Sequence, residues 1–197
     1  MASTNVVRPS MGEICNSALL YMGHPRVSLD SVDPVAVAIE TVYNRTLPAV
    51  LSDYEWKFAL KQQNLTSVTP IFTVEAYDYA YLVPGDCIKV VTVVGRGEYA
   101  IYQGYIFTNE ESPIRVEYVA NVQEGLFPPY FVDALTKELA SRLAITLTED
   151  VSRAKQFRED AALAWRKARH NDSKIQTTGG LGDAVTDATR TTPILRY

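Results

Sequence analysis

Histidine and cysteine are scarce in this 197-residue sequence, which contains only His24, His170, Cys15 and Cys87. Two cysteines are too few for a disulfide scaffold or for a zinc site of their own, and we interpret both as plain buried thiols. The His-Glu-x-x-His, Gly-x-Ser-x-Gly and Cys-x-x-Cys patterns of metal, nucleophile and redox sites are also missing. The sequence therefore predicts no catalytic residue, no metal site and no cofactor, and we expect a protein that is not an enzyme.

The sequence also lacks a long apolar run and an excess of positive charge. No segment approaches the roughly 18 apolar residues of a membrane span, and the N-terminal region lacks the pattern of a secretory signal. The 19 Lys and Arg residues against 23 Asp and Glu residues give a net charge of -4. Because such a surface repels phosphate, the composition argues against a sequence-independent nucleic-acid clamp. We expect no membrane association and folding in a cytoplasm.

Two helices are predicted before residue 56. Ser10 and Glu13 have the spacing of a capping box, which predicts a helix to about Met22 with Gly23 as its stop. Asp33-Pro34 predicts the start of a second helix, since proline is tolerated at a first helical position. Pro48 lies within the apolar pattern of this second helix, so we expect a kink or a break near Arg45 to Leu47.

From about Phe58 the pattern changes to the alternation typical of strands, rich in tyrosine, valine, isoleucine and threonine. Cys87 to Val94 is a continuous strand-forming run. Two further runs, Tyr99 to Tyr102 and Tyr105 to Phe107, flank a Gln-Gly pair and predict a tight hairpin, because glycine supplies the positive φ of such a turn. Residues 114 to 118 indicate one more strand. We expect a small antiparallel sheet or barrel.

Helical spacing returns after Pro128-Pro129. Phe131 and the leucines that follow it recur every four residues, and alanines then step by three and four up to Ala168. This pattern predicts an antiparallel helix pair at about 129–147 and 150–171, with Trp165 in the helical core. The basic residues of the second helix are interleaved with acidic ones, which favours a solvated, ion-paired surface over a nucleic-acid face.

The fold class predicted is α+β: a bundle of about four helices, a small antiparallel β insertion and an extended C-terminal tail. The amphipathic helices at both ends need each other to cover their apolar stripes, so the sheet must be the insertion. We place the bundle at residues 1–56 and 122–172, the inserted β domain at 57–121 and the arm at 173–197. The arm is polar until its end, where the candidate partner-binding residues are Ile194, Leu195, Arg196 and Tyr197.

The β region is the acidic part of the chain. Residues 71–120 hold seven acidic and three basic residues, so this segment alone has a net charge of -4. Glu98, Glu110 and Glu111 are among these acidic residues.

The order of these elements resembles the tail tubular protein A family, the head-to-tail connector or adaptor proteins of short-tailed bacteriophages. Asp53-Tyr54-Glu55-Trp56-Lys57-Phe58-Ala59 is similar to the aromatic step from helix to strand in that family. Tyr79-Ala80-Tyr81-Leu82-Val83-Pro84-Gly85-Asp86 resembles its Tyr-x-Tyr-x-x-Pro-x-Asp signature. Leu135 to Thr146 and Ala161 to Ala168 resemble its closing helical pair. The likeness covers roughly residues 10–172.

The resemblance implies a structural subunit of a homo-oligomeric ring, generally a dodecamer. Its partners would be the portal protein and the tail nozzle protein, and genome DNA would pass through the ring without sequence-specific binding. The protein would be assembled in the host bacterial cytoplasm and located in the virion, at the head-tail junction. An acidic sheet region agrees with such a channel, since basic walls would hold the DNA by attraction between unlike charges. The resemblance therefore makes Glu98, Glu110 and Glu111 candidates for residues that face the channel or the nozzle.

An alternative function is a monomeric binding module for a carbohydrate or another ligand. Such a module would use tyrosine rings as a stacking platform on the sheet, the candidates being Tyr77, Tyr79, Tyr81, Tyr99, Tyr102 and Tyr105. This function requires the rings to share one exposed face.

Overall fold

A computed structural model describes residues 9–95, 97–148 and 150–175 of the chain. Within these residues the helices are α1 (Met11–Tyr21), α2 (Pro34–Ser52), α3 (Pro129–Thr148) and α4 (Val151–Ser173), with a short 3-10 helix at Glu124–Leu126. The strands are β1 (Leu60–Leu65), β2 (Ser67–Val68), β3 (Tyr79–Leu82), β4 (Cys87–Val94), β5 (Tyr99–Tyr102), β6 (Tyr105–Thr108) and β7 (Ile114–Ala120). The predicted α+β class is confirmed.

The start of α1 follows from local chemistry. The Ser10 hydroxyl accepts a hydrogen bond from the backbone N–H of Glu13, and the Glu13 carboxylate accepts one from the backbone N–H of Ser10 at 2.9 Å. Gly23 follows the helix with a φ of 82°, a conformation that costs glycine little. The capping box and the glycine stop are both confirmed.

Helix α2 starts as predicted but does not break at Pro48. The Asp33 carboxylate accepts a hydrogen bond of 2.8 Å from the backbone N–H of Val35, which caps the helix. The helix then runs through Pro48 to Ser52. Of the kink or break expected near Arg45 to Leu47, the break is therefore wrong and the kink stays a prediction. Leu47 and Val50 are buried on either side of the proline, and their packing offsets the hydrogen bond that proline cannot donate.

The strands form two small antiparallel sheets. One has the order β1-β7-β4 and the other the order β2-β3-β6-β5. The chain passes between them at Thr66, where β1 ends in the first sheet and β2 begins in the second. The β5–β6 hairpin has the predicted two-residue turn, in which Gln103 and Gly104 both have positive φ values, 49° and 82°.

One cluster of buried apolar side chains contains residues from all four helices and from both sheets. Its aromatic centre is Trp56, whose ring centroid lies 5.1 Å from that of Phe131 and 5.7 Å from that of Trp165. The Trp56 indole N–H donates a hydrogen bond of 2.9 Å to the carbonyl oxygen of Val50. Trp165 is only 8% exposed, so its predicted place in the core is confirmed.

Helix α3 packs against each of the other three helices. It forms an antiparallel pair with α4, in which the Trp165 indole N–H donates a hydrogen bond of 3.1 Å to the Glu138 carboxylate. On the opposite flank of α4, the Tyr21 hydroxyl of α1 donates a hydrogen bond of 2.6 Å to Asp160. The helices from the two ends of the chain therefore cover each other, as the sequence predicts.

Candidate functional site

The three predicted acidic residues lie together at one end of the β region. Glu98 belongs to the connection between β4 and β5, and Glu110 and Glu111 belong to the connection between β6 and β7. The buried Thr108 hydroxyl donates a hydrogen bond of 3.0 Å to the carbonyl oxygen of Glu98, which ties the two connections together. The Glu110 carboxylate packs on Gly97, where an added Cβ would lie 2.9 Å from Glu110 Oε1.

The connection between β2 and β3 brings a fourth carboxylate to this end. The backbone N–H of Asp78 donates a hydrogen bond of 2.8 Å to Asn109 Oδ1, and the Asn109 amide donates one to the carbonyl oxygen of Ala76. The Tyr79 hydroxyl donates a hydrogen bond of 3.4 Å to the Glu111 carboxylate, whose negative charge raises the pKa of Tyr79. We call Asp78, Glu98, Glu110 and Glu111 the acidic end.

Asp78 was not among the sequence candidates, although it lies in the acidic segment. Only the pairing of β3 with β6 places it beside Asn109, 31 residues further along the chain. The composition of residues 71–120 was the one available signal, and composition does not say which carboxylates meet.

The acidic end lies at the opposite end of β7 from the helices. Strand β7 begins at Ile114, directly after the connection that carries Glu110 and Glu111. It ends at the buried Ala120, whose backbone N–H donates a hydrogen bond of 2.8 Å to the carbonyl oxygen of Ala59. The backbone N–H of Ala59 in turn donates one to the carbonyl oxygen of Trp56, at the aromatic centre of the core. Seven residues of antiparallel strand span about 24 Å. The subunit therefore has a helical part at one end and a carboxylate cluster at the other.

The tyrosine-rich sheet does not present one stacking platform. Tyr99 and Tyr102 are three positions apart on β5, so their side chains point to opposite faces of the sheet. Paired residues share a face, so one face carries Tyr79, Tyr81 and Tyr99, and the other carries Tyr102 and Tyr105. Tyr81 is fully buried, and Tyr77 lies outside the strands. The shared exposed face that the binding module requires is not present.

β5, one of the two edge strands of the four-stranded sheet, is exposed and uncharged. β5 has the sequence Tyr-Ala-Ile-Tyr, in which Ile101 is 44% and Tyr102 51% exposed. Leu82 lies on the same face as Tyr102 and is 55% exposed. Edge strands that stay unpaired usually carry charges or proline, and β5 has neither. We call the exposed Leu82 and Tyr102 on this face the β5 surface, an apolar surface suited to contact with another protein. Tyr99 and Ile101 point to the opposite face.

The basic residues of α4 are not ion-paired within the part of the chain that the structure describes. The ion pairs found there are Lys61–Asp86, Lys137–Asp133 and Arg142–Glu138, and none of them involves α4. Arg153 instead donates a hydrogen bond of 3.1 Å to the carbonyl oxygen of Met22. The predicted ion-paired surface is wrong in this respect. Asp160 bonds to Tyr21, Asp172 bonds to Lys57 and Tyr130, and the exposed Glu159 forms no ion pair with the described residues.

A cleft with a volume of about 270 Å³ lies beneath the connection between β2 and β3. Its polar lining comes from Ser67, Thr69, Thr73, Tyr77, Tyr79 and Asp78. A hydroxyl nucleophile needs an adjacent base such as histidine, and this lining includes none. His24 lies in the loop after α1, with Nδ1 3.2 Å from the carbonyl oxygen of Pro25, and His170 is exposed on the last turn of α4.

Burial raises the pKa of the Cys15 thiol to about 12, and it also raises the pKa of the half-buried Cys87. Among the described residues, no group of three or more His, Cys, Asp and Glu side chains is placed to hold a metal ion. None of the described helices has the length and apolar character needed to cross a membrane. The predicted partner-binding residues Ile194, Leu195, Arg196 and Tyr197 lie outside the described residues.

A scan against protein-family models and a search of curated proteins both find no match to this chain.

Proposed function

We propose that this chain is the structural subunit of a phage head-to-tail adaptor, a ring between portal and tail nozzle through which genome DNA passes. The single observation that carries the proposal is the position of the acidic end, about 24 Å along β7 from the helices. The sequence resemblance over Asp53 to Ala59 and Tyr79 to Asp86 supplies the class of protein. The subunit would act in the virion, at the head-tail junction.

Electrostatics supports a role for the acidic end beside moving DNA. Glu98 and Glu111 are exposed, and Glu110 is half-buried against Gly97. In a ring of about twelve copies, each carboxylate would be repeated around the axis. A wall of like charge repels the phosphate backbone, so DNA would slide past it without binding.

A closed ring requires two different contact surfaces on each subunit, because each copy meets its neighbours through opposite sides. The exposed, uncharged β5 surface supplies one apolar contact. The C-terminal residues Ile194, Leu195, Arg196 and Tyr197 supply a second candidate, which would bind a neighbouring subunit or the portal. Protein interfaces of this kind commonly have an apolar centre with a polar rim.

Electron microscopy and native mass spectrometry of the purified full chain mixed with its portal test the proposal. We expect a closed ring of about twelve copies bound coaxially to the portal. A triple variant, Glu98→Gln, Glu110→Gln and Glu111→Gln, serves as the matched comparison and should assemble equally well but retain DNA more strongly. A chain that stays monomeric in the presence of the portal would overturn the proposal.

A further inference from the structure

Helix α4 carries a straight row of four cations on one flank. The four side chains, Lys155, Arg158, Arg166 and Arg169, are all exposed. When Ala162 is included as the middle position, successive positions are three, four, four and three residues apart. Positions with this spacing lie above one another on a helix. At 1.5 Å per residue the row is about 21 Å long. We call these four residues the cationic row.

No carboxylate forms an ion pair with the cationic row in the part of the chain that the structure describes. Ion pairs with N···O distances up to 4.0 Å occur at three places, all outside α4. Glu138, on the neighbouring α3, is already bonded to Arg142 at 2.7 Å and to the Trp165 indole. The 100 Å³ cleft at the Arg169 end of the row also contains Asp53, which forms no ion pair with it.

Two of the three acidic residues of α4, Asp160 and Asp172, lie off the row. Asp172 is buried on the core side and accepts its hydrogen bonds from Lys57 and Tyr130. Asp160 lies on the opposite flank, where it bonds to Tyr21. Glu159 is exposed and follows Lys155 by four residues, one helical turn, so it lies beside the Lys155 end of the row and lowers the charge of this flank from +4 to +3. It forms no ion pair with the row.

We propose that the cationic row binds the phosphodiester backbone of duplex DNA without reading its sequence. A protein partner would need apolar anchors at the centre of the contact, and between the cations the row offers only the methyl group of Ala162. Arginine forms paired hydrogen bonds to phosphate oxygens, and three of the four cations are arginines. A length of about 21 Å matches about six base-pair steps of 3.4 Å.

This inference goes beyond the proposed function, because a single subunit would already bind DNA through α4 whether or not rings form. It also corrects the expectation that a net charge of -4 argues against binding to nucleic acid, because the net charge is a sum over an acidic surface and a basic one. The acidic end repels a phosphate backbone, and the row attracts one on a different part of the molecule. The net charge of -4 therefore does not describe the field along α4.

Fluorescence anisotropy of a labelled 30-base-pair duplex titrated with the full chain, between 25 and 200 mM salt, tests the inference. We expect a slope of log affinity against log salt of about -3.6, which is 0.9 for each of four neutralised phosphates. Duplexes of unrelated sequence should bind equally. The double variant Arg166→Gln and Arg169→Gln should weaken binding on the order of tenfold at low salt and reduce the slope by about 2.

The matched control is Lys167→Gln with Lys174→Gln, which removes the same charge from α4 and its C-cap residue but away from the row. Thermal melts establish that each variant is folded. The control should keep the wild-type slope. Equal losses in both double variants would overturn the inference, because they would indicate a general charge effect. Absence of binding at 25 mM salt would overturn it as well, and so would equally tight binding of polyglutamate, which would assign the row to an acidic protein surface. Ring formation is measured separately, so either proposal can fail alone.

Discussion

The Asp172 carboxylate accepts two contacts from the backbone N–H of Lys57, with N···O distances of 3.1 and 3.3 Å. Asp172 is fully buried in the last turn of α4, and Lys57 belongs to the link between α2 and β1. The Tyr130 hydroxyl of α3 donates a further hydrogen bond of 2.7 Å to the same carboxylate. One side chain thus ties two helices to the start of the β region.

Replacement of this carboxylate should destabilise the protein. In Asp172→Asn one acceptor oxygen becomes an NH2 group, which cannot accept a hydrogen bond from the Lys57 backbone N–H or the Tyr130 hydroxyl. We therefore expect a loss of about 1 to 3 kcal/mol in the free energy of unfolding. Urea denaturation measures the loss. Glu159→Gln, an exposed position on the same helix, should change stability by less than about 0.5 kcal/mol. Equal stability of Asp172→Asn and the wild type would show that the bond to Lys57 contributes nothing.

Trp165→Ala should be among the most destabilising changes in the helical part. The ring packs against Trp56 and Phe131, and its removal leaves a cavity that the surrounding rings cannot fill. We expect a cost of about 3 to 5 kcal/mol, measured by thermal or urea unfolding. The exposed Leu163→Ala on the same helix is the control and should cost under about 1 kcal/mol. Similar unfolding midpoints for the two variants would contradict the packing described here.

Thr46→Val should stabilise the protein. The Thr46 hydroxyl is fully buried and has no hydrogen-bond partner among the residues that the structure describes. Valine has nearly the same shape and removes the unpaired polar group, so we expect a gain of about 1 kcal/mol. Thr41→Val on the same helix removes a hydroxyl that does bond, to the carbonyl oxygen of Val37 at 2.7 Å, and should give no such gain. A destabilised Thr46→Val would indicate a bonded hydroxyl.

The contribution of Asp86 to stability should depend on pH. The hydrogen bond from Lys61, together with one from the Tyr118 hydroxyl, lowers the pKa of Asp86 in the folded protein. Its stabilising effect is therefore complete above the unfolded pKa of about 3.9 and is lost as pH falls through the lower folded value. The stability difference between wild type and Asp86→Asn should shrink over that acidic range.

The hydrogen bond between Tyr118 and Asp86 should also lose its stabilising effect at alkaline pH. Burial and the bond to Asp86 raise the pKa of Tyr118 to about 12. The stabilisation from neutral Tyr118 should be complete below about pH 10 and decline as pH rises toward 12. Urea midpoints at a series of pH values measure both limits. Lys61→Met keeps only the Tyr118 bond and should show a smaller acidic effect than the wild type. A pH-independent difference would rule out the linkage.

Deletion of residues 176–197 should separate folding from assembly. The hydrophobic cluster described here is continuous without that segment, so the truncated chain should unfold at the same urea concentration as the full chain. It should fail to form rings on the portal, as should the full-length variant Leu195→Asp. Electron microscopy scores assembly, and rings formed by both variants would show that the C-terminal residues are not a contact.

Elements that depend on near neighbours could be predicted from the sequence. The capping box of Ser10 and Glu13, the cap at Asp33 and the Gln103-Gly104 turn each involve residues only a few positions apart. The division of tyrosines between two faces could have been predicted in the same way, because an odd spacing on one strand reverses the side chain. The continuation of α2 through Pro48 could not be predicted in this way, since the packing of Leu47 and Val50 outweighs the local tendency of proline to end a helix.

The candidate site required contacts that are distant in the sequence. The sequence by itself determined that residues 71–120 are acidic and that the last helix carries many basic residues among acidic ones. Only the tertiary structure decided which carboxylates meet, because β3 pairs with β6 and carries Asp78 to Asn109 across 31 residues. Among the described residues it also left the cationic row of α4 without an ion pair. Local preferences act over a few residues, whereas the position of a charge depends on how the whole chain packs.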